Sequence, residues 1–222
     1  VCELSCSSYL MAKDRGHEFS AIPIFLHRRF RHGFIFVNNS KAIEIPKDLD
    51  GKRVGLKTYQ ATANLYLRGL LASEYDVDLT SIVWVTELEE EIPFEPPTDI
   101  RLSRTPKGTD IAEMLAEGDV DAVLHPDIIT PIVRGDPRVS RLFKNYRSEE
   151  VAYFKRTGIF PIMHATVIRD EILKQYPWVA NNLAQAFERA KIISYRRMGN
   201  PRIVPLAWFL DEWDAQRELL GR

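Results

Sequence analysis

Five of the six residues His27-Arg28-Arg29-Phe30-Arg31-His32 are cationic or can become so, the densest such cluster in the chain. Apolar runs flank it, Ala21 to Phe25 and Gly33 to Asn38. Three arginines and two histidines cannot all enter a dry core, so the cluster is expected around a loop or at the end of a strand. A guanidinium fork matches a carboxylate with two parallel hydrogen bonds, and a histidine exchanges protons near neutral pH. The chemistry on offer is capture of an acidic molecule. An exposed basic turn with surface ion pairs would carry the same residues.

Other polar groups fall where an open α/β sheet places its ligands, beyond the carboxyl ends of strands. Thr58-Tyr59-Gln60-Ala61-Thr62 joins an expected strand to an expected helix, whose first N–H groups and hydroxyls make a mouth for an anion. Ordinary capping by Thr62 is the alternative. Ser7 and Ser8 have the same expected geometry and the same alternative. His125 follows the expected strand Ala122 to Leu124 and precedes Pro126. His164 lies in the apolar run FPIMHATVI, where a histidine is more often a hydrogen-bonded core residue. Glu3 also sits in an apparent strand and needs a partner such as an arginine, or a raised pKa.

The elements that position these groups follow from pattern. Residues 1–10 read as a short strand turning at Ser7-Ser8 into a helix, and Ala21 to Phe25 and Gly33 to Asn38 as buried strands. Gly51 to Leu56 is a turn plus strand. Thr62 to Tyr75 has helical spacing at Leu65, Leu67, Leu70 and Leu71. Ile82 to Val85 is a strand, Asp110 to Leu115 opens a helix, and Ala122 to Leu124 is a buried strand. That alternation predicts an α/β fold with a mostly parallel sheet covered by helices. Glu87 to Lys107, acidic and with four prolines, breaks the rhythm and reads as a surface excursion. Ile159 to Ile168 is apolar. A long helix from about Pro177 to Met198 presents Trp178, Leu183, Ala186, Phe187, Ala190 and Ile193 on one face, and Trp208 to Leu220 supplies a shorter one.

Composition bounds the function. The 222 residues, 45% hydrophobic and 27% charged, fit one large soluble domain or two small ones. Thirty basic against thirty-one acidic residues give a net charge of -1, so there is no global field for nucleic acid or an anionic membrane, and any anion site is local. Cys2 and Cys6 alone support neither a disulfide framework nor a cysteine-built zinc site, and no apolar run nears the ~20 residues of a membrane span. No phosphate loop, dinucleotide fingerprint, HExxH or GxSxG occurs, and no metal-ligand spacing stands out.

Leu49 to Gly55 and Leu115 to Ala122, opening and closing a second lobe, resemble the type II periplasmic-binding-protein fold. The segments CELSCSSYL (2–10), AIPIF (21–25), RRFRHGFIFVN (28–38), YQATANLYLRGLL (59–71) and YFKRTGIFPIMH (153–164) are similar to 4,5-dihydroxyphthalate decarboxylases over nearly the whole chain. The resemblance implies a two-lobed protein with mixed, mainly parallel sheets. Residues 1–48 and 148–222 would form a discontinuous first lobe and 49–147 the second, with N- and C-terminal parts of the family pattern lacking.

It implies a ligand cleft approached by Ser7, Ser8, Arg28, Arg29, Arg31, His32, Tyr59, Gln60, Thr62, His125, Thr157 and Gly158. The implied reaction removes one carboxylate from a dihydroxylated benzene dicarboxylate, giving a dihydroxybenzoate and CO2. Direct loss of CO2 would leave an aryl carbanion in the ring plane. Protonating the carboxylate-bearing carbon first avoids it, since a para hydroxyl can feed electrons into the ring. The route asks for cations, for which Arg28, Arg29 and Arg31 are candidates. It also asks for an acid and a base, for which His32 or His125 are candidates; Tyr59 and the serines would donate hydrogen bonds. It needs no cofactor, and no residue is assigned to a metal. The expected partner is a small aromatic carboxylate, without nucleic acid or membrane insertion, and the chain could form a homo-oligomer. The expected compartment is cytoplasmic. The rival reading is a solute-binding protein of a transporter, which would be periplasmic, and a third is a relative that binds without turnover.

Overall fold

The computed structural model describes residues 1–221; Arg222, at the end of the expected first lobe, lies outside the described residues. Chain order runs β1 (Cys2–Ser5), α1 (Cys6–Asp14), β2 (Phe19–Ile22), β3 (Ile35–Asn38), β4 (Arg53–Leu56), α2 (Thr62–Tyr75), β5 (Val83–Thr86) and β6 (Arg101–Arg104). It continues with α3 (Ile111–Glu117), β7 (Ala122–Leu124), α4 (Thr130–Val133), β8 (Val139–Arg141), α5 (Tyr146–Thr157), β9 (His164–Arg169), α6 (Asp170–Gln175), α7 (Val179–Met198) and α8 (Phe209–Leu220). Backbone contacts divide the chain into two compact units. The larger holds Glu3–His17 and Phe25–Ala165; the smaller holds Val1–Cys2, Glu18–Ile24 and the chain from Thr166 onward.

The larger unit is built on a six-stranded sheet in the order β6-β5-β4-β7-β3-β8. β6, β5, β4 and β7 run parallel, while β3 is antiparallel to both β7 and β8. The expected lobe boundaries at 48/49 and 147/148 both lie within this unit, where β3 inserts between β7 and β8. RVGL, VWVT and AVL are short apolar strands because both faces of a parallel sheet are covered. Val54, Leu56 and Trp84 pack with Leu67, Leu70 and Leu71 of α2 on one face. Phe36, Val85 and Val123 pack with Ile111 and Leu115 of α3 on the other. Gly55 permits that second layer: a Cβ there would lie 2.5 Å from Ile111 Cγ1.

The helix expected over 62–75 forms with those bounds, but Leu65 is exposed and the buried side includes Asn64 and Arg68 instead. The excursion 87–107 contains a strand, β6, whose sequence RLSR is mostly exposed because it forms the sheet edge. The strand expected over 21–25 stops at Ile22, where Pro23 has no N–H to continue a ladder.

In the smaller unit β2 pairs antiparallel with β9, from Phe19 opposite Arg169 to Ile22 opposite Thr166. Ile22, Ile24 and Ile168 pack against Ile172 and Leu173 of α6 and Val179, Leu183 and Phe187 of α7. Of the face expected on the long helix, Leu183 and Phe187 meet this core, while Trp178 and Ile193 are exposed. Among the described residues no helix is long and apolar enough to cross a membrane, and no group of three metal-ligating side chains occurs.

Candidate active site at the start of α2

The site lies in the larger unit, where β4 passes through Thr58–Ala61 into α2. Two buried side chains of α2 hold this turn from behind. Asn64 Nδ2 donates to Thr58 O at 2.7 Å and an Arg68 Nη donates to Tyr59 O at 2.6 Å. The Arg68 guanidinium also stacks 3.6 Å from the Tyr59 ring centroid, and burial lowers its pKa. From the front, Ser7 Oγ donates to Gln60 O at 2.6 Å, and Thr62 Oγ1 accepts from Ser7 N at 2.9 Å and lies 2.7 Å from Ser5 Oγ. Thr62 is therefore not the cap of α2: Ala61 occupies that position, and the Thr62 hydroxyl ties α1 to α2.

The mouth of α2 is occupied by a carboxylate of the chain itself. Glu90 accepts from Tyr59 N at 2.5 Å and from Gln60 N at 3.0 Å, and Gln60 Nε2 donates to Ile92 O at 2.6 Å. Sheet register explains the meeting. β4 and β5 run parallel with an offset of 83 − 53 = 30. The ladder continues as Glu87 N to Leu56 O and Leu88 N to Lys57 O, and the same offset brings residue 90 to residue 60. Ser5, Ser8, Thr58, Gln60, Ala61, Glu90 and Glu91 line a solvent-open pocket of about 310 Å³. Ser7, Ser8, Gln60 and Thr62 are buried here, so four of the expected binding residues come together, with Tyr59 supplying its backbone N–H.

The cationic segment 27–32 is arranged differently. Arg28 donates to Phe160 O at 2.7 and 3.3 Å and lies over the Phe160 ring. Arg31 is only 2% exposed. Its Nε meets Met163 Sδ at 3.1 Å, an Nη donates to Pro126 O at 2.7 Å, and burial lowers its pKa to about 10. Arg29 is the exposed member, over Phe34 and 4.0 Å from Asp127. One guanidinium of the three thus does enter the interior, satisfied by a backbone carbonyl and a thioether.

The histidines separate just as sharply. His32 is 1% exposed among Tyr75, Phe143 and Tyr153, neither ring nitrogen has a hydrogen-bond partner, and burial drives its pKa to about 4. His125 is buried, its Nδ1 accepts from Asp127 N at 3.1 Å, and burial lowers its pKa. His164, read from its sequence context as a core residue, begins β9 half-exposed, with Nδ1 2.9 Å from Glu3 Oε1. Glu3 is itself exposed, so burial does not demand the arginine expected beside it; its neighbour is this histidine. His27 stands edge-on to it, with ring centroids 5.0 Å apart. Thr157 and Gly158 finish α5: Thr157 Oγ1 donates to Tyr153 O, accepts from Ile159 N, and Gly158 caps at φ 67°.

Sequence pattern therefore located the mouth but missed Ser5, Glu90, Arg68 and the Glu3–His164 pair. For Glu90 a signal existed in the 30-residue offset between adjacent parallel strands; for Arg68 it existed in an α2 face that carries polar residues toward the core.

No family model matches the chain. It is 34% identical to a 4,5-dihydroxyphthalate decarboxylase of Comamonas testosteroni across all of this chain and 70% of that protein. It is 35% identical to one of Pseudomonas putida across 65% of this chain and 59% of that protein. Among solved structures it is similar to the periplasmic aliphatic sulphonate binding protein SsuA of Escherichia coli, with a TM-score of 0.54 at 14% identity over 99% of this chain and 59% of that one. The alkanesulfonate-binding protein SsuA of Xanthomonas axonopodis pv. citri gives a TM-score of 0.52 at 14% identity, over 99% of this chain and 65% of that one. These structural likenesses show the periplasmic-binding-protein-like α/β fold, and the sequence relatives place the chain in the 4,5-dihydroxyphthalate decarboxylase family of carboxy-lyases.

Proposed function

We propose that the protein decarboxylates 4,5-dihydroxyphthalate or a closely related dihydroxylated aromatic dicarboxylate, without a cofactor, to a dihydroxybenzoate and CO2. The observation that carries the reading is the mouth of α2, where two consecutive N–H groups hold a carboxylate beside buried hydroxyls. A substrate carboxylate in the position of Glu90 would meet the same donors, with Ser5 and Ser8 on the pocket wall. The other carboxylate would face Arg29, the exposed cation of the 27–32 segment.

The reaction adds a proton at the carboxylate-bearing carbon, breaks the bond to CO2 and returns its electron pair to the ring. Donors fixed before the reaction hold the departing carboxylate and its neighbour in place without reorganising. A cytoplasmic location suits such a catabolic step. The rival reading, capture of a small anion for a transporter, draws on the SsuA-like fold, which many functions share. Incubating full-length protein with 4,5-dihydroxyphthalate separates the two. Catalysis predicts CO2 and a dihydroxybenzoate in equal amounts over many turnovers; tight binding without product would overturn the decarboxylase reading.

A further inference from the structure

We infer that His164, held by Glu3, is the acid that delivers the proton to the ring carbon. The inference rests on the decarboxylase reading and names the residue that performs its central step.

The geometry distinguishes this histidine from the others in the larger unit. Glu3 Oε1 lies 2.9 Å from His164 Nδ1, and each side chain is about two-fifths exposed: 40% for Glu3 and 37% for His164. A carboxylate on one ring nitrogen fixes the ring and leaves Nε2–H to donate elsewhere. Neither His32 nor His125 has that arrangement. His32 is enclosed by aromatic rings, and His125 turns its Nδ1 back onto its own loop.

The pair is tied to the pocket through β1 and the start of α1. Successive side chains of a strand alternate, so Glu3 and Ser5 project from the same face of β1, about 7 Å apart along it. Ser5 is a wall of the pocket. Met163 O accepts from Cys6 N at 3.0 Å, so the residue before His164 is fastened to the first residue of α1, which carries Ser7 and Ser8.

His27 faces His164 edge-on; its own surroundings include Arg29, Arg31 and Glu3. Burial and those cations lower the pKa of His27, whose Nε2 is buried without a partner, so it stays neutral at pH 7. His164 is the neighbour with a carboxylate on its ring. In the step, the Nε2–H bond of the imidazolium breaks and a C–H bond forms at the carboxylate-bearing carbon. The para hydroxyl releases its proton to water as the ring becomes a dienone. The bond to CO2 then breaks, its pair returns through the ring to oxygen, and water reprotonates both the phenolate and His164. One proton is consumed and one CO2 released.

The test uses full-length protein with His164→Gln and, separately, Glu3→Gln, assayed for CO2 release from 4,5-dihydroxyphthalate across pH. Substrate binding is measured by calorimetry, and folding by near-ultraviolet circular dichroism. His164→Gln is expected to lower kcat by about 10²- to 10⁴-fold with substrate affinity within about threefold of the parent. Glu3→Gln leaves a side chain of the same shape at Nδ1 without the carboxylate that orients the ring, so kcat is expected to fall at least about 10-fold with substrate affinity again unchanged. A His164→Gln variant with at least a third of the parental kcat, or a Glu3→Gln variant whose kcat stays within about threefold of the parent, overturns the assignment while leaving the decarboxylase reading intact. A parent protein that binds the substrate and releases no CO2 overturns both. Should His164→Gln lose its native circular dichroism, the kcat and substrate affinity of Glu3→Gln decide.

Discussion

The start of α2 and the segment 27–32 are both rich in hydrogen-bond donors, yet only the first aims consecutive backbone N–H groups at one carboxylate, that of Glu90. At α2 the side chains face backward: Asn64 and Arg68 bond the carbonyls of Thr58 and Tyr59, which leaves the N–H groups of Tyr59 and Gln60 pointing to a carboxylate. In the segment 27–32 the guanidiniums of Arg28 and Arg31 spend donors on the carbonyls of Phe160 and Pro126. Formal charge is therefore a poor guide to where a carboxylate is held; what counts is which donors the fold aims at one. The histidines repeat the contrast, with His32 in an aromatic core and His164 beside a carboxylate.

The largest expected effect separates the two histidines. His164→Gln costs about 10²- to 10⁴-fold in kcat. His32→Leu, which fills the same apolar site, keeps kcat per folded molecule within about threefold, as steady-state rates normalised to folded protein would report. Retained activity in both, or loss in both, breaks the contrast. The arginines come next. Arg31→Met removes a buried guanidinium and strands the Pro126 carbonyl, so urea denaturation should show a loss of about 2–4 kcal/mol. Arg29→Ala, at an exposed ion pair, should change stability by less than about 0.5 kcal/mol.

Acid sensitivity follows in size. Folding lowers the His32 pKa from its ordinary 6.5 to about 4, so the unfolded chain takes up the proton first. That stability is present above about pH 6.5 and is lost as pH falls toward 4, by a few kcal/mol in order of magnitude. His27 and His125 act in the same direction. Glu150, pushed up to about 7 by burial, acts oppositely: its contribution is complete below about pH 4.5 and is lost as pH rises through 7. His32→Leu should therefore flatten the decline between pH 6.5 and 4 in chemical denaturation, and Glu150→Gln should flatten the decline between pH 4.5 and 7. A smaller effect than these pH dependences concerns the mouth. Glu90→Gln exchanges a carboxylate acceptor for a neutral amide, and calorimetry should show aromatic dicarboxylates binding about 3- to 10-fold more tightly. Weaker binding would mean that Glu90 helps to build the site instead of occupying it.

The elements that were legible in the sequence are those with dense apolar spacing. α2, β4, β5, β7 and the start of α3 lie in the central layers, where burial on both faces or along one stripe leaves a periodic trace. β6, α5 and α6 left none. β6 is an edge strand reading RLSR, α5 buries only Tyr153 and α6 buries no residue, so their sequences are free to be polar. The candidate site was half visible for a related reason. Helix starts are local and can be read locally, whereas the pairing of Glu3 with His164 spans 161 residues and is set by strands that come together only in the fold.

The central claim is tested most directly by offering full-length protein two ligands that share both carboxylates and differ in the ring hydroxyls, 4,5-dihydroxyphthalate and phthalate, and measuring CO2. The account predicts continuous CO2 release from the first and none from the second, which should compete for the site without turnover, because only a para hydroxyl lets the ring accept a proton before the carboxylate leaves. Binding of both with release from neither, or release from both at similar rates, would contradict it.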